Sequence, residues 1–131
     1  MTVRLDLIGF VVADMAASLD FYRRVGLEIP AGAESEDHVE LTLPGGLRLG
    51  WDTIDVVRSF DPDWVAPVGG HRMVPAFRCD SVAELDELFA ECVSNGAGAH
   101  KEPWDAFWGQ RYAILLDPDG NSVELFAELA D

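Results

Sequence analysis

A chain of 131 residues is the size of one domain, or of two small modules sharing a core. Nine Lys and Arg against 24 Asp and Glu leave a net charge of −15, which repels nucleic acid and anionic membrane and draws cations toward any acidic cleft, besides keeping the surface soluble. Although 49% of the residues are hydrophobic, no run approaches the ~20 apolar residues of a membrane span. The opening MTVRLDLIGF also lacks the long apolar segment of a signal peptide, so the cytoplasm is the expected location.

Residues 5–13, LDLIGFVVA, read as a strand. Asp14 stands as an N-cap before MAASLDFYRRVG, where Met15, Leu19, Tyr22 and Val25 recur at helical spacing and Gly26 suits the helix end. HVELTL and LRLGW, separated by Pro44-Gly45-Gly46, read as a hairpin. The stretch DTIDVVRSFDPDWVAPVGG (52–70) is polar and punctuated by Pro and Gly, and reads as a linker or a lid. HRMVPAFRC (71–79) is a further strand, with Pro75 marking an edge or a bulge. It leads into a helix with a Ser81–Glu84 capping box, a stripe of Val82, Leu85, Phe89 and Cys92, and an Asn95-Gly96 end. Cys79 and Cys92 form no CxxC pair and read as buried free thiols.

The second helix start repeats the first: Asp14, Leu19 and Asp20 fall on Asp80, Leu85 and Asp86 at one constant offset. Each half therefore reads strand, helix, then two or three strands. KEPWDAFWGQRYA (101–113) gathers Trp104, Phe107, Trp108 and Tyr112 into what reads as a loop, a stacking surface for a planar or cationic ligand or the filling of a dimer interface. Trp51 and Trp64 are further candidates from the first half. RYAILL, DPDGN and SVELF form the last hairpin, and strand alternation puts Glu124 on the face opposite Val123 and Leu125. A carboxylate there requires a partner. Arg48, Arg72 and Arg78 are the cations that pattern offers, and a general-base role is chemically open.

LIGFVVADMAASLDFYRRVGLE, FRCDSVAELDELF and WGQRYAILLDPDGNSVELF together resemble the vicinal oxygen chelate superfamily, also called the glyoxalase, bleomycin-resistance and dioxygenase superfamily. The resemblance runs from about residue 5 to residue 127, and its most specific part is the DPDGN turn followed by the strand that carries Glu124. It implies an α+β fold of two tandem βαβββ modules, about 1–56 and 71–131 with 57–70 as linker or lid, curled as a half-barrel around a cavity in a single domain. It also implies a homodimer, and enzymes that hold one divalent metal through His and Glu side chains.

The ligand positions that the resemblance implies fall on Leu7 and Val74, counted from the two helix starts, on Gly50 by the pattern of the strand LRLGWD, and on Glu124 after the DPDGN turn, of which only Glu124 matches. One carboxylate is too few for a transition-metal site, which takes three or four protein ligands. The expectation is therefore no metal and no cofactor, as in the drug-binding branch of the superfamily. The cavity would hold a small aromatic or cationic compound against Trp104, Phe107, Trp108, Tyr112, Arg48 and Glu124, with catalytic residues unassigned. The competing reading is a lyase, isomerase or dioxygenase whose metal site is rebuilt from His38, Glu40 or His71 with Glu124, and a third is an interaction module whose aromatic face serves only dimerisation.

Overall fold

The computed structural model describes residues 2–130. Two compact units are present: one holds the residues up to Arg23 with Leu27–Val68, the other Arg24–Gly26 with the residues from Gly69 onward. The fold is α+β, and the described residues form three α-helices and two mixed sheets. Among the described residues no helix is long and apolar enough to cross a membrane.

In the first unit, strand β1 (Leu7–Val12) leads into helix α1 (Met15–Arg24), followed by β2 (His38–Thr42) and β3 (Arg48–Thr53). The sheet order is β1-β3-β2, with β1 parallel and β2 antiparallel to β3. The Asp14 carboxylate accepts the Ala17 N–H at 3.1 Å, as an N-cap does. Met15, Leu19, Tyr22 and Val25 are all buried. Tyr22 and Trp51 lie with Phe10 in one aromatic cluster, ring centroids 5.0–5.8 Å apart. Trp51 is therefore a core residue with no exposed surface, and the ligand contact that the sequence suggested for it is corrected. Between α1 and β2 the chain is irregular apart from a single 3-10 turn (Ala33–Ser35), entered through Pro30 and through Gly32 at φ 90°.

The stretch 52–70 is not all linker. Thr53 caps a short helix, α2 (Ile54–Phe60), its hydroxyl accepting the Val56 N–H at 3.3 Å, and Val57 is buried. Helix α2 is short and carries Asp55, Arg58 and Ser59, which hides its periodicity.

The second unit runs β4 (Ala76–Arg78), α3 (Val82–Ser94), β5 (Gly98–Asp105), β6 (Gln110–Leu116) and β7 (Ser122–Glu128), in the sheet order β4-β7-β6-β5. Strand β4 is shorter than the sequence pattern of 71–79, since ladder pairing begins only after Pro75, whose carbonyl accepts the Glu124 N–H at 2.9 Å. His71, Arg72 and Val74 thus lie outside the sheet. At α3 the Ser81 hydroxyl accepts the Glu84 N–H at 3.1 Å, while the Glu84 carboxylate accepts the Asp80 N–H rather than that of Ser81, a capping box displaced by one residue.

Helix α3 packs on β5, β6 and β7. Leu85, Phe89 and Cys92 on the helix, and Ala113, Leu115, Val123, Leu125 and Ala127 on the strands, are the buried side of this unit. Cys92 is buried, its thiol pushed up to about 11 by burial, whereas Cys79 is only half-buried, a correction to the pair of buried thiols. Leu125 has no exposed surface and lies on a strand paired on both sides. Leu125→Ala is expected to cost about 2–5 kcal/mol, measured as a lowered urea midpoint at unchanged slope.

Candidate functional site

The DPDGN turn fixes the geometry of the second sheet. Asp117 is 5% exposed. Its Oδ1 accepts the N–H groups of Asp119 (2.9 Å) and Asn121 (2.8 Å), and its Oδ2 accepts the Asn121 amide at 3.0 Å. Gly120 takes φ 83°, a conformation that costs glycine little. The buried carboxylate is thus satisfied inside the turn, which sets β6 against β7 with Tyr112 opposite Phe126 and Ile114 opposite Glu124.

Alternation then builds the face opposite α3 in rows across the strands. One row pairs Trp104 with Tyr112, Tyr112 with Phe126, and Phe126 with Arg78. The rings lie close enough to interact: Trp104–Tyr112 at 5.9 Å, and Tyr112 stacked on Phe126 at 5.7 Å. Trp108, from the β5–β6 turn, stands edge-on to Tyr112 at 5.2 Å and to Trp104 at 6.3 Å. Its indole N–H donates to Gln110, whose amide donates to Glu128, both at 2.9 Å, so the ring is tethered to the sheet while 48% exposed.

Both ends of the row carry protein cations. The Lys101 ammonium lies 4.0 Å from the centroid of Trp104, and the Arg78 guanidinium 5.8 Å from that of Phe126. Residues 101 and 104 would fall on opposite faces of a regular strand. Strand β5 slips register twice, between Ala99 and Lys101 and again between Lys101 and Trp104, the second time across Pro103, which has no N–H to offer the ladder. The aromatic stretch 101–113, read from sequence as a loop, is therefore mostly strand: Trp104 belongs to β5 and Tyr112 to β6, with only the turn about Phe107 and Trp108 outside the sheet.

The neighbouring row holds Lys101, Ile114, Glu124 and Ala76. Glu124 is half-buried between two apolar neighbours, and no ion pair or side-chain hydrogen bond joins its carboxylate to another described residue. The arginines proposed for it are otherwise placed. Arg78 binds Glu128 at 3.2 Å, Arg72 is exposed and outside the sheet, and Arg48 belongs to the first unit, where it binds Asp6 at 2.6 Å and also Glu40. The Tyr112 phenol is raised above its ordinary value, first by burial and then by the Glu124 charge.

Of the residues singled out from sequence, Trp104, Trp108, Tyr112 and Glu124 come together on this face. Phe107 projects from the turn, 97% exposed, with its ring 5.0 Å from that of Trp108. Phe126, Lys101, Gln110 and Glu128 were missed. Phe126 was available in principle, since it lies two residues beyond Glu124 on the same strand and so on the same face.

In the first unit the face opposite the Trp51 core carries Leu7, Gly50, Arg48 and Asp52 with His38 and Glu40. The Leu7 side chain lies over Gly50, where an added Cβ would meet Leu7 Cδ1 at 3.4 Å. Both nitrogens of His38 face carboxylates, Nδ1 that of Asp52 and Nε2 that of Glu40 at 2.7 Å. Among the described residues, no group of three or more His, Cys, Asp and Glu side chains is disposed to hold a metal ion.

A family model described as the Glyoxalase/Bleomycin resistance protein/Dioxygenase superfamily matches residues 4–125. Among solved structures, a glyoxalase/bleomycin resistance protein/dioxygenase family enzyme from Burkholderia phytofirmans PsJN superposes with a TM-score of 0.80 at 21% identity, over 97% of this chain and all of that one. A glyoxalase-related enzyme from Fulvimarina pelagi gives 0.77 at 18% identity, over 95% of this chain and 88% of that one. Protein ATC0852 from Agrobacterium tumefaciens gives 0.72 at 24% identity, over 98% of this chain and all of that one. At these identities the likeness speaks for the fold alone. No curated protein matches the chain by sequence.

Removing the Glu124 charge while keeping its shape tests the electrostatics of this face. Glu124→Gln is expected to lower the midpoint of Tyr112 ionisation without restoring the ordinary value, because burial is the larger cause. Alkaline spectrophotometric titration in a Tyr22→Phe background isolates the Tyr112 phenolate and measures that change.

Proposed function

The chain belongs to the Glyoxalase/Bleomycin resistance protein/Dioxygenase superfamily, and we propose that it is a metal-free member binding a small aromatic or cationic compound on the aromatic face of the second unit. A second copy of the chain completes the cleft in this reading. Its ligand contacts are Trp104, Trp108, Tyr112 and Glu124, with Phe107 at the rim.

The observation that carries the reading is the Glu124 carboxylate, half-buried beside a continuous row of rings and joined by no ion pair or side-chain hydrogen bond to another described residue. A carboxylate so placed can accept a cation without giving up a partner of its own. Rings on one side and a carboxylate on the other suit a planar cation, which gains both stacking and charge pairing. The chain's net charge of −15 favours the approach of such a ligand.

The residues present do not fit the metal that the resemblance implies. Leu7, Gly50 and Val74 offer no ligand atoms in their side chains. Leu7 occupies the space over Gly50, and the residue paired with Glu124 on β4 is Ala76. His38 and Glu40, two of the substitutes suggested by the sequence, are joined to each other and to Asp52 and Arg48, and the third, His71, is exposed and outside the sheet. No step is therefore assigned to a metal, and the reading is binding without turnover.

Tryptophan fluorescence titrated with N-methylacridinium, with the anionic naphthalene-1-sulfonate as comparison, tests it. The cation is expected to quench saturably and the sulfonate not. Trp108→Ala should weaken the cation by about 1 kcal/mol or more, and Glu124→Gln should weaken the cation selectively. A linear, unsaturated response shared by both compounds would overturn the reading.

A further inference from the structure

The first unit holds a chain of alternating charges: Asp6, Arg48, Glu40, His38 and Asp52, each in contact with the next. The two charged groups facing His38 are Glu40 on its own strand β2 and Asp52 on β3. Arg48 and Asp6 act on it only through Glu40. A charged imidazole donates at both nitrogens and satisfies both carboxylates at once. A neutral imidazole has one N–H and one lone pair, so one of the two contacts must be given up.

The two ways of losing that proton are unequal. If Nδ1 keeps its hydrogen, Asp52 keeps its donor and Glu40 still has Arg48. If Nε2 keeps it, Asp52 loses the one side chain that binds it among the described residues. The chain of contacts therefore selects Nδ1–H, the arrangement in which a carboxylate orients the ring from behind.

We propose that His38 is a proton-gated base: Glu40 caps Nε2 while the ring is charged, and loss of that proton opens Nε2 as an Asp52-oriented acceptor on the outer face of β2 and β3. In the step itself the Nε2–H bond breaks, its electron pair stays on nitrogen, and the proton passes to solvent. Glu40 is left to Arg48, and this face gains one net negative charge. The opened lone pair takes a hydrogen bond or a proton from a hydroxyl or ammonium donor, and the ring is exposed enough to be reached. This site lies in the first unit and does not rest on the binding function proposed for the second.

Glu40 first, and Asp52 second, hold the His38 proton more tightly than in free histidine. The sign follows by linkage. The contribution of the charged form to stability is complete below the unfolded value near 6.5 and is lost as pH rises through the higher folded value, so the gate opens on the alkaline side.

Two-bond proton–nitrogen correlation NMR of the full chain, uniformly labelled with nitrogen-15 and followed through the histidine titration, reads which ring nitrogen carries the hydrogen. The His38→Gln spectrum identifies the His38 signals. The wild type is expected to titrate above the ordinary histidine value and to yield a neutral form protonated at Nδ1, and Asp52→Asn to shift the neutral form toward Nε2–H. A neutral wild-type His38 protonated at Nε2, or a midpoint at or below the ordinary value, would overturn the proposal. Both of those outcomes are read on the wild type, and His71→Gln and His100→Gln, at exposed positions, identify the His38 signals by elimination if His38→Gln folds poorly.

Discussion

The register between β6 and β7 is the constraint on which the candidate site depends, and a single buried carboxylate sets it. Asp117 folds the DPDGN turn around itself, accepting two backbone N–H groups and a side-chain amide. Because side chains alternate along a strand, a slip of β7 by one residue against β6 would send Phe126 and Glu124 into the helix-covered side and bring Leu125 out, leaving Tyr112 without its stacked partner. The turn motif is structural in its own right. Its functional consequence is that the rings form one row and Glu124 stands in the next.

The two units treat charge on their open faces in opposite ways. In the first, every ionisable group of the cluster is bound to one of opposite sign, and the arrangement is sensitive to a single proton on His38. In the second, Lys101 is drawn to Trp104, Arg78 lies over Phe126 while it binds Glu128, and Glu124 is left between Ile114 and Ala76. An aromatic face can hold a cation without neutralising it. That is how a sheet face with two cations nearby retains an uncommitted carboxylate.

Much of this was legible in the sequence, for identifiable reasons. Caps and hairpins depend on residues close in the chain, so Asp14, Ser81 and the two turn motifs marked their elements, and the helical stripes named the buried residues of α3 and, apart from Ser18 and Phe21, those of α1. What failed was where local chemistry misleads. Pro103, Gly109 and the four aromatic residues of 101–113 made the end of β5 and the start of β6 resemble a loop, although the irregular register leaves both strands intact. Helix α2 is too short and polar for its period to show. The partners suggested for Glu124 could not be chosen from pattern, since Arg48 and Arg78 each find a carboxylate on a neighbouring strand that sequence separation conceals. The same holds for Asp52 and His38, brought together only by the β2–β3 pairing.

The central claim is that Glu124 serves a small cationic ligand and not a metal. Calorimetric titration of Zn²⁺, Ni²⁺, Mn²⁺ and Fe²⁺, the last without oxygen, into the purified full chain and into Glu124→Ala tests it most directly. No ion is expected to bind stoichiometrically in a manner that Glu124→Ala removes. One equivalent of metal bound by the wild type and lost from Glu124→Ala would contradict the claim, and would make Glu124 a ligand in a metal site assembled from residues other than Leu7, Gly50 and Val74.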